Sequence, residues 1–120
     1  MEPNDLVSSD DLRRLREVGS EVSIGAGQVL IEPRQVGAGV FVILEGEAVV
    51  DAPEGTRELG PGALVGERAM FSADGTRTAR VRAKGDLRVL AVDRARFEEL
   101  CASEPALAGR LDRAAARELP

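Results

Sequence analysis

The spacing of hydrophobic positions divides this chain into a helix, a run of strands and a second helical stretch. Near the start, Leu12, Leu15 and Val18 recur at helical spacing while Arg13, Arg14 and Arg16 turn outward. That spacing builds one apolar helix face. Ser8 or Ser9 is placed to cap the helix, Asp10 and Asp11 sit where a helix dipole favours them, and Gly19 is expected to end it.

From Glu21 to Val92 the period shortens. Val22 and Ile24 alternate with polar neighbours, Gly25-Ala26-Gly27 turns the chain, and Val29-Leu30-Ile31 predicts a further strand before a loop from Pro33 to Gly39. Val40-Phe41-Val42-Ile43-Leu44 is apolar on both faces, which predicts a buried central strand. Glu45-Gly46-Glu47 interrupts the run before Ala48-Val49-Val50, and Pro53-Glu54-Gly55 turns the chain into Thr56 to Leu59. Further on, Ala79, Val81 and Ala83 alternate with Arg80 and Arg82, and Lys84-Gly85-Asp86 leads into Leu87 to Val92. Short strands separated by turns at this spacing predict a sandwich or barrel, here a jelly roll.

The chain then returns to helical spacing. Asp93 is a good N-cap, with Phe97, Leu100 and Cys101 on the apolar face behind it. Ser103 is expected to cap a second helix carrying Pro105 in its first turn, with Leu107, Leu111, Ala114 and Ala115 on one stripe. The Arg-rich helix reads as a solvated face, while Leu107, Leu111 and Ala114 suit a homodimer seam equally well. The expected fold class is mainly β with flanking helices: a double-stranded β-helix (jelly roll) with one short N-terminal helix and two C-terminal helices. Residues 1–8 are expected to be a flexible leader and 9–120 one domain, with a β-roll over about 21–92 and helices over about 93–119.

Composition narrows the chemistry. A chain of 120 residues with 43% hydrophobic residues builds one core. The net charge of −5 argues against direct nucleic-acid binding, and three aromatic residues, all Phe, do not make a base-stacking platform. There is no His, which removes His-based metal sites and the Ser/His and Cys/His dyads, so the chain is not expected to be an enzyme. Cys101 is the single cysteine and reads as a structural thiol. No apolar run has the length of a membrane span or the form of a signal peptide, so a cytoplasmic protein is expected.

The chemistry concentrates between Gly60 and Ala83. Gly60-Pro61-Gly62 makes a turn, Gly66-Glu67 follows a short apolar step, and Arg77-Thr78-Ala79 closes a polar loop. A helix N-terminus offers unpaired N–H groups to an anion, and an arginine from the far side of the loop can grip a phosphate with paired hydrogen bonds. This order points to a pocket for a small phosphate-bearing molecule. Outside such a pocket, Glu67 and Arg77 would simply be a surface ion pair.

These residues carry a family resemblance. Leu-Gly-Pro-Gly-Ala-Leu-Val-Gly-Glu at 59–67 and Thr-Arg-Thr-Ala-Arg-Val-Arg-Ala at 76–83 resemble the two ends of the phosphate-binding cassette of cyclic-nucleotide-binding domains. Val40 to Val50 with Gly46 inside is similar to the family's glycine-bearing strand pair, and Phe97, Leu100 and Glu104-Pro105 are similar to its hinge and final helix. The resemblance spans roughly residues 9 to 119 and is strongest to the effector domain of bacterial cAMP receptor proteins. It implies a regulatory module that binds cAMP, with cGMP the other expected ligand, and signals through the C-terminal helices. It implies roles for Gly66 in close backbone approach, Glu67 on the ribose 2′-hydroxyl, and Arg77 on the cyclic phosphate. Backbone N–H groups around Arg68 and Ala69 would add to the phosphate contact, and Thr78 a hydroxyl. No cofactor is implied. The expected partners are the cyclic nucleotide and, through the last helix, a homodimer mate or effector protein. The alternative is a ligand-free scaffold with a vestigial pocket.

Overall fold

The computed structural model describes residues 6–31, 39–52, 55–66 and 80–114. Helix α1 (Ser9–Arg16) precedes eight strands: β1 (Ser20–Ile24), β2 (Val29–Ile31), β3 (Gly39–Glu45), β4 (Ala48–Ala52), β5 (Gly55–Leu59), β6 (Leu64–Val65), β7 (Arg80–Ala83) and β8 (Leu87–Asp93). Two more helices follow among the described residues, α2 (Arg94–Ser103) and α3 (Pro105–Ala114).

The pairing is nested. β1 lies against β8, β2 against β7, β3 against β6 and β4 against β5, all antiparallel. Cross-pairing of β3 with β8 and of β4 with β7 joins these ribbons into two four-stranded sheets, β1-β8-β3-β6 and β2-β7-β4-β5. This is a jelly roll, the expected fold.

The first sheet is covered on both sides, which explains why Val40 to Leu44 of β3 and Val89 to Val92 of β8 are apolar at every position. Successive strand side chains point to opposite faces. Val40, Val42, Leu64, Leu90 and Val92 therefore join Leu15, Phe97, Leu100, Leu107 and Leu111 in a core beneath the helices. Ile43, Val65, Leu87 and Val89 point the other way and join Ala48, Val50, Leu59, Val81 and Ala83 between the sheets. Leu107 and Leu111, read from sequence as part of a solvated helix or a dimer seam, are instead each 1% exposed within the chain's own core.

Several local expectations are corrected. Ser8 is the α1 cap, its Oγ accepting from the Asp11 N–H at 3.2 Å, but the helix stops at Arg16 rather than Gly19. Gly19 serves packing instead: a β-carbon there would lie 2.7 Å from the Ala91 carbonyl oxygen and 2.8 Å from Val92 Cγ2. Among the described residues β1 is an edge strand beside β8, and Val22 on it is 38% exposed. Ser103 closes α2, its Oγ donating to the Leu100 carbonyl at 3.1 Å, and Glu104 separates it from α3. Val7, ahead of α1, packs on the helical core and donates its N–H to the Gly62 carbonyl at 2.8 Å.

Candidate functional site

The opening of the expected loop is built by a turn that sequence dictates. Pro61 fixes its own φ, and Gly62 takes a φ of 92°, which L side chains rarely adopt. The Ala63 N–H then closes the turn onto the Gly60 carbonyl at 3.2 Å. The turn is stitched to β3 by Gly62 N–H to the Ile43 carbonyl at 2.7 Å and Ile43 N–H to the Ala63 carbonyl at 2.9 Å. From there β6 runs beside β3, with Val65 opposite Phe41.

Gly66 follows directly, half-buried and with φ 93°. It leaves the sheet in a conformation that costs a residue with a β-carbon about 1 kcal/mol or more. On the far side, Arg80 opens β7 opposite Asp51 of β4. The two anchors therefore lie on different sheets, yet Val65 and Val81 bury their side chains in the same inter-sheet core. Of the residues expected in the site, Gly66 is in place at the loop's opening. Glu67, Arg68, Ala69, Arg77 and Thr78 lie outside the described residues.

Charges around these anchors are matched internally. Arg82 donates to Asp51 at 3.0 Å, and Lys84 bridges Glu58 at 2.8 Å and Glu47 at 3.6 Å. Glu21 takes hydrogen bonds from both Arg16 and Arg88, and the Arg16 bond in particular holds its carboxyl below the usual range. These cations already answer the chain's own carboxylates. Among the described residues no group of three or more His, Cys, Asp or Glu could hold a metal ion. No helix among them is long and apolar enough to cross a membrane.

Sequence reading missed the polar group tying the chain's ends together. Asp11 is 4% exposed and accepts two hydrogen bonds from Arg110, both at 2.9 Å. Those bonds hold its carboxyl below the ordinary value against the opposing push of burial. Arg14 pairs with both Glu17 and Glu104, and its hydrogen bond likewise lowers the Glu104 carboxyl. A signal was present: Asp11 precedes Leu15 by one helical turn and so shares its buried stripe.

Comparison with known proteins places these features in a wider set. Residues 21–104 match the profile of the cyclic nucleotide-binding domain. A cyclic nucleotide-gated potassium channel of Mesorhizobium japonicum is 36% identical over 86 residues, 72% of this chain and 24% of the channel. A channel of the same kind from Rhizobium etli is 35% identical over 85 residues, or 71% and 24%. The chain thus spans about a quarter of the length of these relatives. Among solved structures, one from work on a cyclic-GMP-dependent signalling pathway regulating bacterial phytopathogenesis superposes with a TM-score of 0.81 at 29% identity, covering 91% of both chains. The catabolite activator protein of Thermus thermophilus shares the fold, with a TM-score of 0.74 at 22% identity over 88% of this chain and 52% of that one.

Proposed function

Because the chain belongs to the cyclic nucleotide-binding domain family, we propose that it is a regulatory module that captures a cyclic nucleotide, cAMP first, in the loop opened by Gly66. The observation that carries this reading is the placement of that loop. Its leading turn is hydrogen-bonded to β3, Gly66 leaves with φ 93°, and its return strand β7 is packed into the same inter-sheet core.

In this reading Arg77 supplies two donors to the cyclic phosphate and Glu67 accepts from the ribose 2′-hydroxyl. Backbone N–H groups near Arg68 and Ala69 add to the phosphate contact, and Gly66 lets the backbone come close. Glu67 must face the sugar, because a carboxylate turned to the phosphate would repel it. Thr78 adds a hydroxyl where cGMP would be the competing ligand, and the solved neighbour associated with cyclic-GMP signalling makes cGMP the second nucleotide to test. Binding would be read out through α2 and α3 by a partner protein or second copy in the cytoplasm, with no chemical step on the nucleotide.

Calorimetric titration with cAMP and cGMP tests the reading. Saturable heat with either, tighter for cAMP, is the expected result. Absence of heat and of any thermal shift at millimolar nucleotide would overturn it and leave the ligand-free scaffold. Arg77→Ala should abolish binding while leaving the fold intact, with the melting temperature within about 2 °C of the parent. Unchanged affinity in that variant would show that the phosphate is held elsewhere.

A further inference from the structure

Four strands end the two sheets among the described residues: β1 and β6 in the first, β2 and β5 in the second. An edge strand presents a row of unpaired N–H and C=O groups, and natural sheets guard it with brevity, a bulge, proline or charge. Three of these edges are guarded in that way. β6 is two residues long. β2 is three residues long, and its register shifts between Val29 and Ile31. β5 carries Arg57 and Glu58, the latter ion-paired to Lys84. β1 is the exception. Its five residues keep an unbroken register with β8, from Ser20 against Ala91 to Ile24 against Leu87. It holds no Pro, Lys or Arg, and Val22 at its centre is 38% exposed. Its single charge, Glu21, is already answered by Arg16 and Arg88.

We propose that β1 is a docking edge for a second copy of this chain, the two strands pairing antiparallel about a two-fold axis through Val22. The sequence of the strand sets this register. With Val22 opposite the same residue of the second copy, Glu21 faces Ser23 and Ser20 faces Ile24, so no two like charges stand opposite each other. Glu21 and Ser23 share one face of the strand, and Arg88 lies on that face opposite Ser23 in β8. Each copy's Glu21 is therefore aimed across a small serine at the second copy's Arg88, the same carboxylate–guanidinium match it makes within its own chain. On the other face, Val22 meets its counterpart as an apolar pair beside Ile24, which packs on the inter-sheet core. This self-complementarity is what selects a second copy over an unrelated strand. The product is one continuous sheet in which β6-β3-β8-β1 is followed by the same strands in reverse order. Five residues a side fall well short of the ~800 Å² per partner of a standard interface, so the dimer is weak and forms at about 0.1–1 mM protein. It is independent of the nucleotide reading.

Sedimentation equilibrium of the whole chain from about 10 μM to about 1 mM follows this association by mass action. The parent should pass from monomer toward dimer. Val22→Lys should weaken the dimer about tenfold, because two ammonium groups then stand face to face, and Val22→Glu should do the same with two carboxylates. An equimolar mixture of the two variants should return to within about threefold of the parent's affinity, since opposite charges now meet. If either variant does not fold, amide exchange in the parent carries the test: the β1 amides should exchange more slowly at the high concentration than at the low one, with Val50 in the second sheet unchanged. A parent that stays monomeric at the highest concentration would overturn the proposal and leave β1 to a strand of another protein. A dimer indifferent to both substitutions, or a mixture no tighter than the single variants, would overturn it by placing the contact on another surface.

Discussion

Asp11 shows how one carboxylate sets a property of the folded chain. Its protonation is disfavoured chiefly by the hydrogen bonds from Arg110, so its folded pKa lies below its unfolded one. The stability it contributes is therefore fully present above the unfolded carboxylate range, about 4, and is lost as pH falls through the lower folded value. Glu21 and Glu104 are shifted the same way, but both are more open to solvent than Asp11 and contribute less. Thermal melts from pH 7 to 3 should be flat down to about pH 4.5 and then fall, with Asp11→Asn starting lower and falling less steeply. Parallel curves for the two proteins would show that Asp11 is not the group responsible. Gly19 gives a second residue-scale expectation. Alanine there would press on the Ala91 carbonyl and Val92 across the sheet, lowering stability by about 1–3 kcal/mol, measurable by urea denaturation.

At the scale of elements, α2 is where the helical layer meets the sheet. Phe97 is fully buried between the helices and the outer face of β3 and β8. Phe97→Ala should cost about 3–5 kcal/mol in chemical denaturation, while Val22→Ala on the open edge should cost well under 1 kcal/mol. Comparable losses at both sites would contradict the layering. The elements were legible from sequence to the degree that their signals are local. Alternation marked β7, the double-sided apolar run marked β3, and Ser8 and Asp93 were readable as caps because a cap bonds its own next turn. Gly60-Pro61-Gly62 was readable for the same reason. Gly19 was misread because its crowding comes from Ala91, far along the chain. The Asp11–Arg110 pair was missed because 99 residues separate its members. Of the binding residues expected from sequence, Gly66 takes a φ of 93°, while the others lie outside the described residues.

For the whole molecule, nested pairing ties the middle of the chain together before its ends. β4 and β5 are neighbours in sequence and can pair early, whereas β3 must find β8 about fifty residues later. Mixed and all-β topologies of this kind fold in milliseconds to seconds. The strand that waits is apolar on both faces from Val40 to Leu44. While β8 is still missing, Val40 to Leu44 offers neighbouring chains an apolar ribbon on both sides, so refolding yield should fall as protein concentration rises from about 1 to 100 μM. The burial that holds β3 in the finished molecule thus makes it sticky in the unfinished one, and the cost appears as time and crowding rather than as lost stability.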